Sequence, residues 1–250
     1  MSNFEKGVIL HFDKLAPLYD LKSSDRKNYN TAVDREIVKI FSSSKNLRVL
    51  DVGCGTGSRS ERLKKKIIGS KFFCLDVSSK MVAIAKGKNL DYVTWGKMTR
   101  LPFKDDYFDA LLCLFNTFGY LSSQKAREKA LSEFWRVLKK NGLLFIDLMN
   151  FWHLGEGMEF KRSIFSACAD LFYSFLNPTL SVGDKLFKLK AGDEEFEGFV
   201  HGFSQWEMKS LLKSAGFSID KFLIIGYNSG EIKKHFWQGQ LFYVCKKIAK

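Results

Sequence analysis

The stretch that most limits what this chain can fold into is Val49-Leu50-Asp51-Val52-Gly53-Cys54-Gly55-Thr56-Gly57. An apolar strand ends there and enters a turn with glycines at alternate positions. Without a Cβ, glycine can take positive φ, and a ligand can lie directly against its backbone. The helix that follows opens with unpaired N–H groups. Such a strand–turn–helix unit suits a nucleoside ligand. A second strand, Phe72-Phe73-Cys74-Leu75-Asp76, ends in a carboxylate 25 residues beyond Asp51. A carboxylate in that place can accept from both hydroxyls of a ribose. The competing pattern, the dinucleotide fingerprint G-x-G-x-x-G, needs a glycine at position 58, where this chain has Ser58.

These residues resemble those of the class I S-adenosylmethionine-dependent methyltransferases, of the small-molecule type. The glycine turn is similar to that family's first motif, and Asp76 to its ribose-binding acid. The resemblance covers roughly residues 11–149 and 199–246. It implies S-adenosyl-L-methionine as cofactor and S-adenosyl-L-homocysteine as product. Asp51 and the backbone of Gly53, Cys54, Gly55 and Gly57 are then expected to hold the amino acid end. Asp76 and Val77 would lie by the ribose, and Met81 over the adenine. His11-Phe12-Asp13-Lys14-Leu15-Ala16-Pro17-Leu18-Tyr19-Asp20 resembles the family's F-D-x-x-A-x-x-Y-D opening, which folds over the pocket and makes Tyr19 a wall.

The run from Trp95 to Phe103 resembles the family segment G-D-A-x-x-L-P-F that borders the adenine, with one departure. Lys97 replaces an aspartate, and a lysine cannot accept from the adenine amino group. Backbone atoms of Lys97 and Met98 are left for that contact. Phe115-Asn116-Thr117-Phe118-Gly119-Tyr120-Leu121 resembles the F-N-S-F-G-Y-L variant of small-molecule enzymes. It places Asn116 near the transferred methyl and Phe115 and Tyr120 beside the sulfonium, which aromatic faces attract. The [DNS]-P-P-[YFW] run of enzymes that methylate exocyclic base amines is not here. Methyl transfer is an in-line displacement that needs alignment and exclusion of water. A hydroxyl acceptor also needs a base. His153, just past the fifth strand, is the first candidate, with His201 and Tyr173 next and Tyr120 as a further catalytic candidate. No cysteine stands in a nucleophilic setting, which disfavours covalent methylation at carbon of a base.

Strand and helix patterns alternate along the chain. Expected strands are Leu47–Val52, Lys71–Asp76, Asp91–Trp95, Tyr107–Leu114 and Leu143–Met149. Helices are expected over Ala32–Phe41, Ser58–Ile67, Ser78 to about Lys86, and Ser122–Lys139, the last stopped by Asn141-Gly142. This order predicts a doubly wound, Rossmann-like α/β fold with seven mostly parallel strands and helices on both faces. Ligands bind such sheets at the carboxyl ends of the strands. The glycine turn, Asp76 and the segments after Trp95 and Leu114 all reach that edge.

One domain is expected, with a helical lead-in over 1–45 and a cofactor-binding core over 46–149. Residues 150–203 break the alternation and are too long for an ordinary connection. They read as an inserted lid or substrate region with two polar strands, Lys185–Lys190 and Glu195–Phe203. Ser204-Gln205-Trp206-Glu207 reads as a capping box. Phe217–Tyr227 and Gln240–Lys246 are the last two expected strands, and the resemblance implies that they pair as a hairpin with one antiparallel strand at the sheet edge.

Net charge is +13, which raises nucleic acid or acidic membranes as partners. The lysines are scattered in short clusters, so a solvated surface is favoured over a nucleic-acid face. No stretch reaches the roughly 18–20 apolar residues of a membrane span, and the N-terminus lacks the shape of a secretory signal. Five cysteines without C-x-x-C spacing point to no zinc site and to a reducing, cytoplasmic setting. Cys74, Cys113 and Cys245 read as small buried hydrophobes in strands. The favoured function is methyl transfer to O, N or C of a small-molecule acceptor. An RNA- or protein-directed methyltransferase is the alternative, and a non-catalytic S-adenosylmethionine-binding protein the third. No motif fixes an oligomeric state.

Overall fold

The computed structural model describes residues 3–42, 44–153, 155–156, 164–165, 167–169, 172, 180–191 and 194–248. Five strands run parallel: β1 (Arg48–Val52), β2 (Lys71–Asp76), β3 (Tyr92–Trp95), β4 (Phe108–Cys113) and β5 (Leu138–Leu148). β6 (Asp184–Ala191) and β7 (Glu194–His201) form a separate antiparallel hairpin. β8 (Phe217–Ile225), the two-residue β9 (Ile232–Lys233) and β10 (Gln240–Lys247) complete the main sheet. Its order is β3-β2-β1-β4-β5-β10-β8-β9. β9 therefore adds a short eighth strand to the expected seven. Two strands run antiparallel to the rest: β10, which lies inside the edge and pairs with both β5 and β8, and the two-residue β9 at the edge beside β8.

The helices are α1 (Asn3–Leu15), the single turn α2 (Tyr19–Lys22), α3 (Lys27–Ile40), α4 (Ser58–Lys66), α5 (Ser79–Ala85), α6 (Gln124–Val137) and α7 (Gln205–Ser214). Strand residues alternate between the two faces of the sheet. Val49, Phe72, Leu112 and Phe145 face Val33 and Ile37 of α3 and Leu63 of α4. Leu50, Leu75, Leu111 and Tyr243 face Leu131 and Phe134 of α6 and Met208 and Leu212 of α7. All of these side chains are buried, so both faces are covered as a parallel sheet requires. Cys74, Cys113 and Cys245 are buried within strands, as their apolar surroundings suggested.

Three local expectations shift. Helix α6 is capped by Ser123, whose hydroxyl accepts from Ala126 N, rather than by Ser122. It ends at Val137, not Lys139, because Leu138 already pairs with Phe108 of β4. Asn141 then takes φ +64 inside an irregular stretch of β5 before pairing resumes at Leu143. At α7 only half of the capping box forms. Glu207 N donates to Ser204 Oγ at 3.1 Å, but the Glu207 carboxylate goes to His201 Nε2 at 2.9 Å.

Strand order reverses between β1 and β4, so their carboxyl ends diverge and open a crevice. α1 lies over that crevice and rests on the hairpin. A Cβ at Gly7 would come within 2.4 Å of Glu197 O, and the Phe4 and Phe199 rings lie 6.0 Å apart. Among the described residues, no helix is long and apolar enough to cross a membrane.

Candidate active site

A cavity of about 570 Å³ occupies the crevice beneath α1. Its floor comes from the strand ends and the glycine turn. Gly53, Gly55 and Gly57 have φ of +74°, +57° and +76°, a region that other residues enter only with strain. A Cβ on Gly53 would collide with Thr117, and one on Gly57 with Leu90 and Ala85. Gly53 and Gly55 line the cavity, whereas Gly57 closes the turn onto α4. Asp76 also lines it. Its Oδ2 accepts from Gly55 N and its Oδ1 from Ser78 N, each at 2.8 Å. The carboxylate thus stitches the glycine turn to the start of α5. Burial raises its pKa, and the bonds from Ser78, Gly55 and Val77 N–H groups oppose that rise.

Val77, Met81, Lys97 and Met98 form a second wall, and Phe115 and Tyr120 a third. Tyr19 reaches in from the N-terminal segment. A Cβ on Gly55 would touch its ring at 3.5 Å. The Tyr120 ring meets Phe12 edge-on at 5.3 Å, and burial pushes its hydroxyl up to about 12. The Arg26 guanidinium sits 3.7 Å from the Phe115 ring centroid and 5.5 Å from that of Tyr19.

Two carboxylates fasten this N-terminal segment. Asp13 Oδ1 accepts from Ser78 Oγ at 2.6 Å and from Lys80 N at 3.1 Å. Asp20 accepts from Thr56 Oγ1 at 2.5 Å and from Ser58 Oγ at 2.7 Å. Both aspartates belong to the F-D-x-x-A-x-x-Y-D stretch. The motif marked them, but nothing local told which partners 36 to 67 residues away they would find.

Asp51, Cys54, Asn116 and His153 do not line the cavity. Asp51 is buried just behind the turn and accepts from Ser60 Oγ. Burial pushes its pKa up to about 6. The hydrogen bond with the neighbouring Cys74, and then burial, raise the Cys54 thiol. Asn116, at φ +55°, accepts from Met149 N at 2.8 Å and so braces the end of β5. The His153 Nδ1 lies 3.1 Å from Trp237 O, beyond the cavity wall. His201 is buried, with its ring nitrogens on Asp184 and Glu207 at 2.6 and 2.9 Å, where it ties the hairpin to α7. Tyr173 lies outside the described residues.

Two groups escaped the sequence reading. His11 lines the cavity, its Nδ1 buried and without a hydrogen-bond partner. Its position in the motif was the only available signal. The second is a buried charge network behind the glycine turn. Arg59 Nε donates to Asp34 at 2.7 Å, Arg62 reaches Asp34 at 2.8 Å, and Asp147 Oδ2 lies 3.9 Å from Arg59. No sequence pattern announces such a long-range cluster.

The geometry fits a nucleoside-bearing cofactor. The volume lies within the roughly 300–1,000 Å³ of small-ligand sites. The glycine backbone gives a surface free of side chains, and Asp76 stands beside it. Comparisons with known proteins agree. Residues 49–142 match the methyltransferase domain family. The ubiquinone/menaquinone biosynthesis C-methyltransferase of Campylobacter jejuni is 29% identical over 235 residues, covering 86% of this chain and 91% of that protein. The glycine/sarcosine N-methyltransferase of Parasynechococcus marenigrum is 38% identical over 115 residues, covering 44% of this chain and 40% of that protein. A crystal structure of a S-adenosylmethionine-dependent methyltransferase from Methanosarcina mazei superimposes with a TM-score of 0.64 at 21% identity. It covers 83% of this chain and 95% of its own.

Proposed function

The chain belongs to the class I S-adenosylmethionine-dependent methyltransferases, and from that premise we propose that it methylates an O, N or C atom of a small-molecule acceptor. The cavity beneath α1 carries this reading. At about 570 Å³ it suits one nucleoside cofactor and a small partner, and the N-terminal segment roofs it, anchored through Asp13 of α1 and Asp20 of α2. A polymer substrate would need an open groove instead.

S-adenosylmethionine, when bound, supplies an electrophilic methyl on a sulfonium. The residues of this chain do the rest. Gly53 and Gly55 present bare backbone to the amino acid end, with the Asp51 charge behind them. Asp76 and Val77 take the ribose side, and Met81, Lys97 and Met98 border the adenine. Tyr19, Phe115 and Tyr120 present aromatic faces suited to a sulfonium. The seated N-terminal segment excludes water, which strengthens every polar contact inside. Asn116 positions this wall through its bond from Met149 N. His153 stays a weaker base candidate, because it faces Trp237 rather than the cavity.

The charge of +13 favours the RNA- or protein-directed reading less than its size suggests. Lys64, Lys233 and Lys247 are paired with Asp91, Glu231 and Asp106 at 2.6–2.8 Å, and Lys139 is paired with Asp109. Such pairs spend cations that phosphates would otherwise meet. The test is methyl transfer from tritiated S-adenosylmethionine into a panel of small hydroxyl, amine and quinol metabolites, beside total RNA and total protein. Label in the small-molecule fraction is expected. Salt-sensitive label in RNA, or label in protein, would overturn the acceptor class.

A further inference from the structure

The same cavity extends past the glycine turn and Asp76 to a region that none of the expected cofactor residues fills, Lys97 and Met98 at its border apart. Glu5, Ile9, His11 and Phe12 of α1 line the cavity together with Lys125 and Lys129 of α6. Lys125 and Lys129 are four residues apart, so they project from one face of the helix. Lys97 joins them from the loop after β3. Three ammonium groups therefore border this half against one carboxylate, Glu5. The ammonium groups of Lys97, Lys125 and Lys129 have no hydrogen-bond or salt-bridge partner among the described residues, although Lys129 helps to depress the Glu133 carboxyl. This sets them apart from the lysines elsewhere that are spent on aspartates and glutamates. Val8, Ile9, Phe12, Leu15 and Leu121 add apolar wall, with the hydroxyls of Thr99 and Ser123 beside them.

From this arrangement we infer that the methyl acceptor is a small anion, an apolar or aromatic body carrying a carboxylate or phosphate that Lys97, Lys125 and Lys129 hold, with His11 Nδ1 receiving a hydrogen bond from its hydroxyl or amine. The inference rests on the methyltransferase reading of the cavity. It explains two otherwise idle features. Lys97 stands where the family has an aspartate, a change that turns the border of the pocket from acidic to basic. The His11 Nδ1 is buried and unpartnered, a state that costs free energy unless a ligand completes it. Burial, aided by Lys22, lowers the His11 pKa, so its imidazole is neutral at physiological pH and free to accept.

The test uses protein saturated with S-adenosylhomocysteine and three matched probes: 4-hydroxybenzoate, 4-hydroxyphenyl phosphate and 4-hydroxybenzamide. Calorimetry should show an anion bound about tenfold more tightly than the neutral amide at moderate salt. Whether the benzoate or the phosphate leads decides between carboxylate and phosphate. K125Q/K129Q should remove most of the leading anion's advantage over the amide, and K97Q/K125Q/K129Q should bring it to the level of the amide. H11F should weaken all three probes alike by threefold or more. Equal binding of all three probes, or an anion preference that survives K97Q/K125Q/K129Q, overturns the inference while leaving the cofactor site intact. Failure of the first titration, with S-adenosylhomocysteine alone, would bring down the methyltransferase reading and this inference together.

Discussion

Asp20→Ala should loosen the roof of the active site without touching its floor. Asp20 accepts from the hydroxyls of Thr56 and Ser58 at 2.5 and 2.7 Å. Hydrogen bonds to an ionised acceptor are worth roughly 1.5–3 kcal/mol when buried. The Asp20 side chain is 46% exposed, so water screens it and about 1 kcal/mol per bond is the better figure. Thr56 is 2% exposed, and without Asp20 its hydroxyl keeps only Ser58 Oγ at 3.3 Å. The substitution should therefore cost about 2 kcal/mol of seating free energy. If the other anchors alone leave the segment mostly unseated, S-adenosylhomocysteine affinity falls toward that full factor of about 30. A tighter remaining seat gives a smaller loss, with threefold as the least this reasoning accommodates. Titration calorimetry measures it, and a double-mutant cycle with Thr56→Val isolates the shared bond, expected to couple by about 1 kcal/mol. Asp20→Ala that binds within twofold of the natural protein would refute the idea that this clamp forms the site.

Other perturbations separate the floor from its supports. Asp76→Asn leaves one acceptor where two backbone N–H groups now point, so S-adenosylhomocysteine binding should weaken by about 30- to 1,000-fold in calorimetry. Asp51→Asn should act with opposite signs on stability and binding. Burial raises the Asp51 pKa from 3.8 to about 6, so its ionisation opposes folding. Its stabilising contribution is whole below about pH 4 and lost as pH rises through 6. In thermal melts Asp51→Asn should thus stabilise the free protein by about 2–3 kcal/mol at pH 8 and little at pH 4, while S-adenosylhomocysteine binding weakens. No gain at pH 8 would place the charge in a friendlier setting than its burial implies. Arg59→Met strands the Asp147 carboxylate and half of the Asp34 pairing, and should cost about 3–5 kcal/mol in denaturant unfolding. Adding Asp147→Asn should recover part of that loss.

The floor of the site was legible because its signals are local. The glycines at 53, 55 and 57 need positive φ, and Asp76 ends a strand whose apolar run is unmistakable. Those features lie within one strand–turn–helix unit, where spacing and geometry coincide. The end of α6 was not legible, since Leu138 leaves the helix for a pairing partner, Phe108, 30 residues earlier. The Glu207 carboxylate left its capping box for the same kind of reason, a histidine on the hairpin. The acceptor half of the cavity was hidden too. His11, Lys125 and Lys129 are remote in sequence and each is ordinary in its own helix. Only the packing of α1 on the hairpin brings them to one cavity. The Arg59 network with Asp34 and Asp147 joins three elements and leaves no periodic trace.

The most direct test of the central claim is calorimetric titration of the folded protein with S-adenosylmethionine and S-adenosylhomocysteine at moderate salt. The account predicts one site per chain, with a Kd on the order of micromolar for at least one of the two, and loss of that binding in Asp76→Ala. A folded protein that binds neither, or an Asp76→Ala variant that binds as well as the natural chain, would contradict it.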